Sequence, residues 1–139
     1  MHTLNKILSD LYVLSAKTKN FHWNVKGSRF IMLHELFQTH YEALDGFIDE
    51  VAEQIVIKGA RPTSTLAGFL KHSDIKESEE ILSEDAMIET LLKDHKHMSE
   101  AIEEFIEKSG TDPGTEDLLT EILRFHQKTC WILESHLKS

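Results

Sequence analysis

Apolar residues recur along this chain at every third or fourth position, which is the period of an α-helix, and no stretch alternates convincingly as a strand. In the first helical segment, one stripe carries Leu4, Ile7, Leu11, Leu14, Thr18 and Phe21. The same periodicity predicts four long helices, over residues 3–24, 30–58, 83–108 and 115–137. Because four long helices of similar length are typical of a four-helix bundle, the predicted fold class is all-α.

The segment between the second and third helices, residues 59–82, is far too long for a simple turn. Within it, "TSTLAGFL" predicts a short extra helix capped by Thr63 or Ser64. The second helix is roughly 42 Å long at ~1.5 Å per residue, so a connector with its own helix could run back along that length. One long crossover of this kind indicates a ferritin-like bundle, and we expect residues 1–139 to form a single ferritin-like domain.

Composition narrows the range of partners. The formal net charge is -9 and no basic run occurs, which makes nucleic acid and anionic membranes poor partners for the bare surface.

No apolar run approaches the ~20 residues of a membrane span, and the first residues lack the features of a signal peptide. The one cysteine, Cys130, cannot form an internal disulfide. A reducing, cytoplasmic setting is therefore expected.

Nine histidines are unusual for a chain of 139 residues, and two of them flank a predicted turn. His22 lies near the end of the first helix, and His34 lies near the start of the second. On a wheel of ~100° per residue with His34 at zero, Asp49 and Glu53 fall at about 60° and 100°. That face is separate from the core stripe around ~265°, which carries Leu33, Phe37, Leu44, Phe47, Val51 and Ile55.

A histidine with two carboxylates is a sensible ligand set for iron, but a solvated polar face is the ordinary interpretation of such positions. Roughly 25 Å of rigid helix separates His34 from Asp49 and Glu53, so one chain cannot bring them together. Two copies of the helix laid antiparallel about a two-fold axis near residues 42–43 would do so. Each His34 would then face the partner's carboxylates, and a two-fold axis generates two such sites. His22 could join His34 across the turn.

The other histidines support a weaker alternative. His40, His95 and His126 lie on or beside apolar stripes, where core histidines are expected, yet together they keep open a metal centre inside one bundle, as in hemerythrin-like proteins. The remaining ones are interpreted as surface residues: His2, His72, His97 and His136. Cys130, near a core stripe, is interpreted as a small buried filler.

The segments "NFHWNVKG", "LHELF" and "DEVAEQ" make the sequence similar to the Dps family, the DNA-binding proteins from starved cells, also called mini-ferritins. The resemblance covers nearly the whole chain and includes "HQKTCWIL". It implies a hollow homo-dodecamer that oxidises Fe²⁺, preferably with hydrogen peroxide, and stores ferric mineral. It further implies iron sites with His22 and His34 from one subunit and Asp49 and Glu53 from the other.

One position departs from the family pattern. Gln38 stands where the family commonly has aspartate, which implies a weak or water-supplemented second iron position. Trp23, adjacent to His22, could supply an electron if a radical forms, although an aromatic packed in an interface explains it equally well.

The resemblance suggests that Asp117 and Glu121, in "DPGTEDLLTE", line a negatively charged three-fold pore. Complementing the helix dipole is the alternative explanation of these carboxylates. A nucleoid-binding role is a further alternative. It is disfavoured by the net charge and by the absence of a lysine-rich tail before the first helix, so we expect weak DNA binding.

Overall fold

The computed structural model describes the backbone of residues 2–137 and the side chains of residues 4–137. Within that part of the chain helices are the only regular elements and no strand occurs, which confirms the predicted all-α class. No helix in it combines the length and the apolarity needed to cross a bilayer. The five helices are α1 (His2–Asn24), α2 (Phe30–Ile57), α3 (Leu66–His72), α4 (Glu84–Lys108) and α5 (Pro113–Leu137).

The four long helices pack as two hairpins, α1 with α2 and α4 with α5. The hairpins meet where α1 contacts α4 and α2 contacts α5. All six residues of the predicted α1 stripe are buried. On α2 the predicted core face is buried except for Phe47, which is half-buried where its ring meets Phe125 of α5 edge-on. The periodicity therefore identified the faces that form the core.

The long connector runs back along α1 and is held there by three polar side chains of that helix. Asn5 donates to the Arg61 carbonyl and accepts from the Thr63 amide. Further along α1, Asp10 accepts from the backbone of Asp74. Near the end of the helix, Asn20 donates to the Ser78 carbonyl at 2.8 Å. The connector therefore follows α1 from its start to its end, which is the predicted long crossover.

The cap of the short helix differs from the prediction. Helix α3 begins at Leu66, and the side chain of Thr65, not that of Thr63 or Ser64, accepts from the Gly68 amide at 3.1 Å. The Thr63 backbone amide donates to Asn5, and the Ser64 hydroxyl donates to the Pro62 carbonyl. The Thr65 side chain is therefore the cap at the start of α3.

The start of α5 also differs, because the helix begins at Pro113 and not at Thr115. Proline is favoured at the first helical position, where its missing N–H is not needed. Asp112 precedes it and accepts from both the amide and the hydroxyl of Thr115. These bonds, with that from Lys58, lower the pKa of Asp112 to about 2. The sequence correctly marked the other start, since Ser83 caps α4 through the Ala86 amide.

Candidate metal centre

His22 at the end of α1 and His34 near the start of α2 face each other across the turn. The His22 Nδ1 atom lies 2.6 Å from the His34 carbonyl oxygen, and the His34 Nδ1 atom lies 2.7 Å from the His22 carbonyl oxygen. The two rings stack with their centroids 3.9 Å apart and an angle of 11° between their planes. The sequence expectation that these two histidines are neighbours agrees with this geometry.

These two hydrogen bonds determine the tautomer of each ring. A carbonyl oxygen can only accept, so the Nδ1 atom of each histidine must carry the hydrogen. In the neutral ring the lone pair then resides on Nε2. Backbone carbonyl groups orient metal-binding histidines in this way in many proteins. His22 and His34 can therefore present two Nε2 donors, and a neutral imidazole pair suits Fe²⁺.

Two aromatic rings pack against the histidine pair, whereas the aromatic residue next to His22 in the sequence is exposed. The Phe30 ring stacks on His34, and the Tyr41 ring meets His22 edge-on at 5.3 Å between centroids. Lys19 lies over the Tyr41 ring. Trp23 follows His22 directly but is 70% exposed. Its indole is therefore available to a second chain or to solvent.

The turn between the histidines is fixed by the start of α4. The Glu84 carboxylate accepts from the Arg29 amide at 2.8 Å, and Asp85 accepts from the Arg29 guanidinium. The bond to Asp85 is the main cause of the raised pKa of Arg29. Gly27 has a φ of +140°, and a Cβ there would clash with the Glu84 carboxylate. Only glycine fits this turn.

The two predicted carboxylate ligands, Asp49 and Glu53, are exposed on α2. Among the described side chains, neither forms a hydrogen bond or an ion pair. Asp45, one turn earlier, differs: it accepts from the Ser15 hydroxyl at 2.6 Å and pairs with Lys19 at 3.0 Å. Asp49 lies at the edge of the groove between α1 and α2 that also holds Asp45. Asp49 and Glu53 are thus uncommitted acceptors on an open face.

The structure does not bring all four predicted ligands together within one chain. His34 and the Asp49–Glu53 pair lie on the same helix α2, and its ~1.5 Å rise per residue separates them by roughly 25 Å. Among residues 4–137, they do not form a group of three potential ligands within metal-binding distance. Within one chain the predicted ligands therefore lie in two separate groups, the histidine pair at the turn between α1 and α2 and the two carboxylates further along α2.

Gln38 lies one turn after His34 and is exposed. Its Nε2 atom donates to the Glu42 carboxylate at 2.7 Å. A carboxylate cannot donate to the amide oxygen, so this contact requires the nitrogen to face Glu42. The Gln38 Oε1 atom is then the free end of the amide, on the helix face that carries His34.

The core histidines form a separate buried group. His95 of α4 and His126 of α5 are fully buried, and their Nδ1 atoms lie 2.7 Å apart. One of these atoms must donate and the other accept, so both rings can be neutral. His40 of α2 lies edge-on to His95. Burial lowers the pKa of His40 to about 4 and that of His126 to about 3. All three are buried, as expected from their positions.

His97 lies at the surface, as predicted, with its side chain 40% exposed, but it is not isolated there. It is half-buried, and its Nε2 atom lies 3.6 Å from an oxygen of Asp74. Asp10 completes a group in which one potential ligand atom of each residue lies within 4.8 Å of the others. The three residues are far apart in sequence, on α1, the connector and α4, so local spacing gave no signal for them. Of the other predicted surface histidines, His72 is exposed, His136 is half-buried, and the His2 side chain lies outside the described residues.

The pore candidates Asp117 and Glu121 are both exposed on α5. Because the helix begins at Pro113, Glu116 is the acidic residue of its first turn. Interactions with the helix dipole fall off within that turn. The dipole therefore accounts for Glu116 but not for Asp117 and Glu121, which lie beyond the first turn.

Comparison with known proteins supports the ferritin-like fold. Residues 1–139 match the family model of the ferritin-like domain. The DNA protection during starvation protein 2 of Bacillus anthracis is 35% identical over 139 residues, which covers 99% of this chain and 95% of that protein. The crystal structure of Dps from Staphylococcus aureus superposes with a TM-score of 0.95 at 33% identity, covering 99% of this chain and 93% of that one.

A Dps protein from Vibrio cholerae O1, described as a member of a broad superfamily of ferritin-like diiron-carboxylate proteins, superposes with a TM-score of 0.93 at 31% identity. That match covers 98% of this chain and 87% of the other. The fold and the family match define a ferritin-like protein. Within that class, the chain belongs to the Dps family, which confirms the resemblance found in its sequence.

Proposed function

We propose that this protein stores iron and protects against oxidative damage by oxidising Fe²⁺ at sites shared between two subunits. Its membership of the ferritin-like and Dps families supports iron storage and protection in general terms. The observation that carries the specific proposal is the reciprocal hydrogen bonding of His22 and His34, which leaves both Nε2 atoms free as ligands.

In this proposal, His22 and His34 of one subunit bind iron together with Asp49 and Glu53 of its partner. The supporting observation is that Asp49 and Glu53 are exposed and uncommitted, whereas nearby Asp45 is held by Ser15 and Lys19. A two-fold axis near the middle of α2 places each histidine pair opposite the partner's carboxylates, twice per dimer. Gln38 contributes its amide oxygen to a weaker second iron position.

The proposed reaction takes one electron from each of two ferrous ions. Hydrogen peroxide accepts both electrons, its O–O bond breaks, and two protons complete two water molecules, leaving two ferric ions. The carboxylates of Asp49 and Glu53 favour the ferric product because the higher charge prefers oxygen ligands. Paired oxidation avoids releasing hydroxyl radical. Exposed Trp23, next to His22, supplies an electron where a radical does form.

We further propose that the chains assemble into a cytoplasmic homo-dodecamer that encloses the mineral. The net charge of -9 suits an interior that attracts cations. Asp117 and Glu121 line the three-fold pore through which Fe²⁺ enters. Their position beyond the first turn of α5 supports this role, because the helix dipole does not explain it.

A simple experiment tests the proposal against its alternatives. The purified protein should elute as a dodecamer and, when given Fe²⁺ and hydrogen peroxide without oxygen, should oxidise about two Fe²⁺ per peroxide and retain the ferric product. A monomer, as expected for a hemerythrin-like bundle, or an absence of oxidation would contradict it.

A gel shift should show weak DNA retention at physiological salt. Tight, salt-sensitive retention would favour a nucleoid-binding role.

A further inference from the structure

A second group of metal-ligating side chains lies between α1, the connector and α4, and it shares no residue with the proposed two-fold site. Asp10, Asp74 and His97 each offer one ligand atom, and these atoms all lie within 4.8 Å of one another. Asp10 and His22 are twelve residues apart on α1, a distance of roughly 18 Å along the helix. The group is therefore separate from the histidine pair.

Asp10 provides the main argument that this group binds a cation. The residue is only 1% exposed. Its Oδ1 atom accepts from the Ser73 hydroxyl at 2.8 Å and from the Asp74 amide at 2.7 Å. Its Oδ2 atom is also buried, yet it has no hydrogen-bond partner within the part of the chain that the structure describes. A buried carboxylate oxygen without a partner is costly, and a bound cation would satisfy it.

His97 contributes a second buried polar atom. Its Nε2 nitrogen, like the Asp10 Oδ2 oxygen, has no hydrogen-bond partner among the described residues. It lies 3.6 Å from the Asp74 Oδ2 atom, which is too long for a hydrogen bond. In a tetrahedral site with metal–ligand bonds of ~2.1 Å, neighbouring ligand atoms are about 3.4 Å apart. The observed separation therefore resembles that of two atoms that coordinate the same ion.

The ordinary interpretation of Asp74 is its ion pair with Lys6, whose Nζ atom lies 2.5 Å from the same Oδ2 atom. This pair is partly exposed, at 31% for Lys6 and 53% for Asp74, so giving it up costs little. With Asp74 paired to Lys6, the Asp10 Oδ2 and His97 Nε2 atoms still have no hydrogen-bond partners among the described residues. Glu100 lies in the same groove and on the same side of α4 as His97, so it can supply a further oxygen.

We propose that Asp10, Asp74 and His97 form a binding site for a divalent transition metal ion within each chain. One imidazole nitrogen and two carboxylate oxygens suit Zn²⁺, Fe²⁺ or Co²⁺, whereas Mg²⁺ and Ca²⁺ prefer oxygen ligands alone. An ion held there links α1, the connector and α4. It fixes the connector to the bundle, and it remains independent of the two-fold iron site.

The test uses Co²⁺, whose visible absorption reports its ligands, and the full-length protein carrying His22→Ala and His34→Ala. Removing both histidines eliminates the two imidazole donors of the proposed two-fold site and leaves only its carboxylates. We expect this protein to bind one Co²⁺ per chain and to lose that ion when His97→Gln is added. His72→Gln, which changes an exposed histidine outside the group, is the matched control and should leave binding unchanged.

The wild-type protein provides a second measurement that does not depend on the double variant folding. His97→Gln should lower the Zn²⁺ bound at saturation by one ion per chain. It should also show a smaller Zn²⁺-induced rise in thermal midpoint than the wild-type protein, whereas His72→Gln should keep the wild-type rise. Circular dichroism confirms that the helices are intact. Unchanged stoichiometry in His97→Gln, or equal losses in both variants, would show that the group is not a metal site.

Discussion

Each of His22 and His34 donates a hydrogen bond from its Nδ1 atom to the backbone carbonyl of the other, at 2.6 and 2.7 Å. One pair of residues thus does two things. It joins the end of α1 to the start of α2, and it places the hydrogen of each neutral ring on Nδ1, so that the Nε2 atom keeps the lone pair. The structural role uses the Nδ1 atoms, and the proposed metal-binding role uses the Nε2 atoms, so substitutions can separate the two.

His34→Asn and His34→Ala should therefore behave differently. The asparagine side-chain nitrogen can occupy the position of Nδ1 and keep the bond to the His22 carbonyl, but it offers no Nε2 donor. We expect His34→Asn to lose fast iron oxidation while remaining close to wild type in stability. His34→Ala should lose the oxidation and also roughly 1 kcal/mol of stability. Denaturant unfolding and stopped-flow iron oxidation measure the two effects.

If His34→Asn kept wild-type oxidation, the Nε2 atom of His34 would not be an iron ligand. If His34→Ala were as stable as wild type, the Nδ1 bond would not contribute to the fold.

Gln38 offers a test of the second iron position. Gln38→Asp introduces a negatively charged oxygen ligand, whereas Gln38→Asn gives a neutral side chain of the same shape as aspartate. We expect the aspartate variant to bind the second Fe²⁺ at least about tenfold more tightly, equivalent to ~1.4 kcal/mol, and the asparagine variant to gain nothing. Anaerobic calorimetric titration measures both. Equal affinities in the two variants would mean that the Gln38 side chain does not reach the iron.

The sequence predicted most of the fold because apolar periodicity and helix signals are local properties. The α1 stripe is buried as predicted, and Ser83 caps α4. Two helix starts were misplaced. Asn5 of α1 holds the Thr63 amide, a tertiary contact that residue spacing cannot show, and Thr65 caps α3. The start of α5 was a missed local signal, because Asp112 bonds to Thr115 three residues on and Pro113 takes the first helical position.

The sequence predicted the neighbourhood of His22 and His34 because a short turn joins their helices. It could not predict their reciprocal hydrogen bonds, which depend on how the two helices meet. It also could not predict that His97 lies beside Asp10 and Asp74, because those residues come from α1 and the connector. Groups assembled from distant parts of a chain leave no local pattern.

The buried histidines predict a loss of stability in acid. His126 faces His95 of α4, with His40 of α2 beside that ring, and burial lowers the pKa of His126 to about 3. Below the ordinary pKa of ~6.5, unfolded His126 takes up a proton that the folded form rejects until about pH 3. The free energy of unfolding should therefore fall between these values, by up to ~1.4 kcal/mol per pH unit for this residue.

Replacing His126 with glutamine removes this titration, and His72→Gln serves as the control on an exposed histidine. Denaturant unfolding at several pH values should give a shallower slope for His126→Gln and an unchanged slope for His72→Gln. An unchanged slope in His126→Gln would show that the folded state admits the proton.

The pore proposal predicts an effect that depends on salt. Asp117→Asn combined with Glu121→Gln removes two charges and preserves shape. Iron uptake should slow at low ionic strength and approach the wild-type rate at high salt, because electrostatic guidance is screened there. Glu116→Gln, in the first turn of α5, is the control and should leave uptake unchanged. If the double variant took up iron at the wild-type rate at low salt, Asp117 and Glu121 would be ordinary surface carboxylates and not pore residues.

The central claim, that each iron site takes ligands from two chains, is tested most directly by mixing His34→Ala with Asp49→Ala. Each variant alone should lack fast peroxide-driven oxidation. After subunit exchange at equal amounts, half of the dimers are mixed, and each mixed dimer has one site that is wild-type on both sides. Oxidation should therefore return to about a quarter of the wild-type rate. No recovery, with exchange verified by mass spectrometry, would contradict a site shared between subunits.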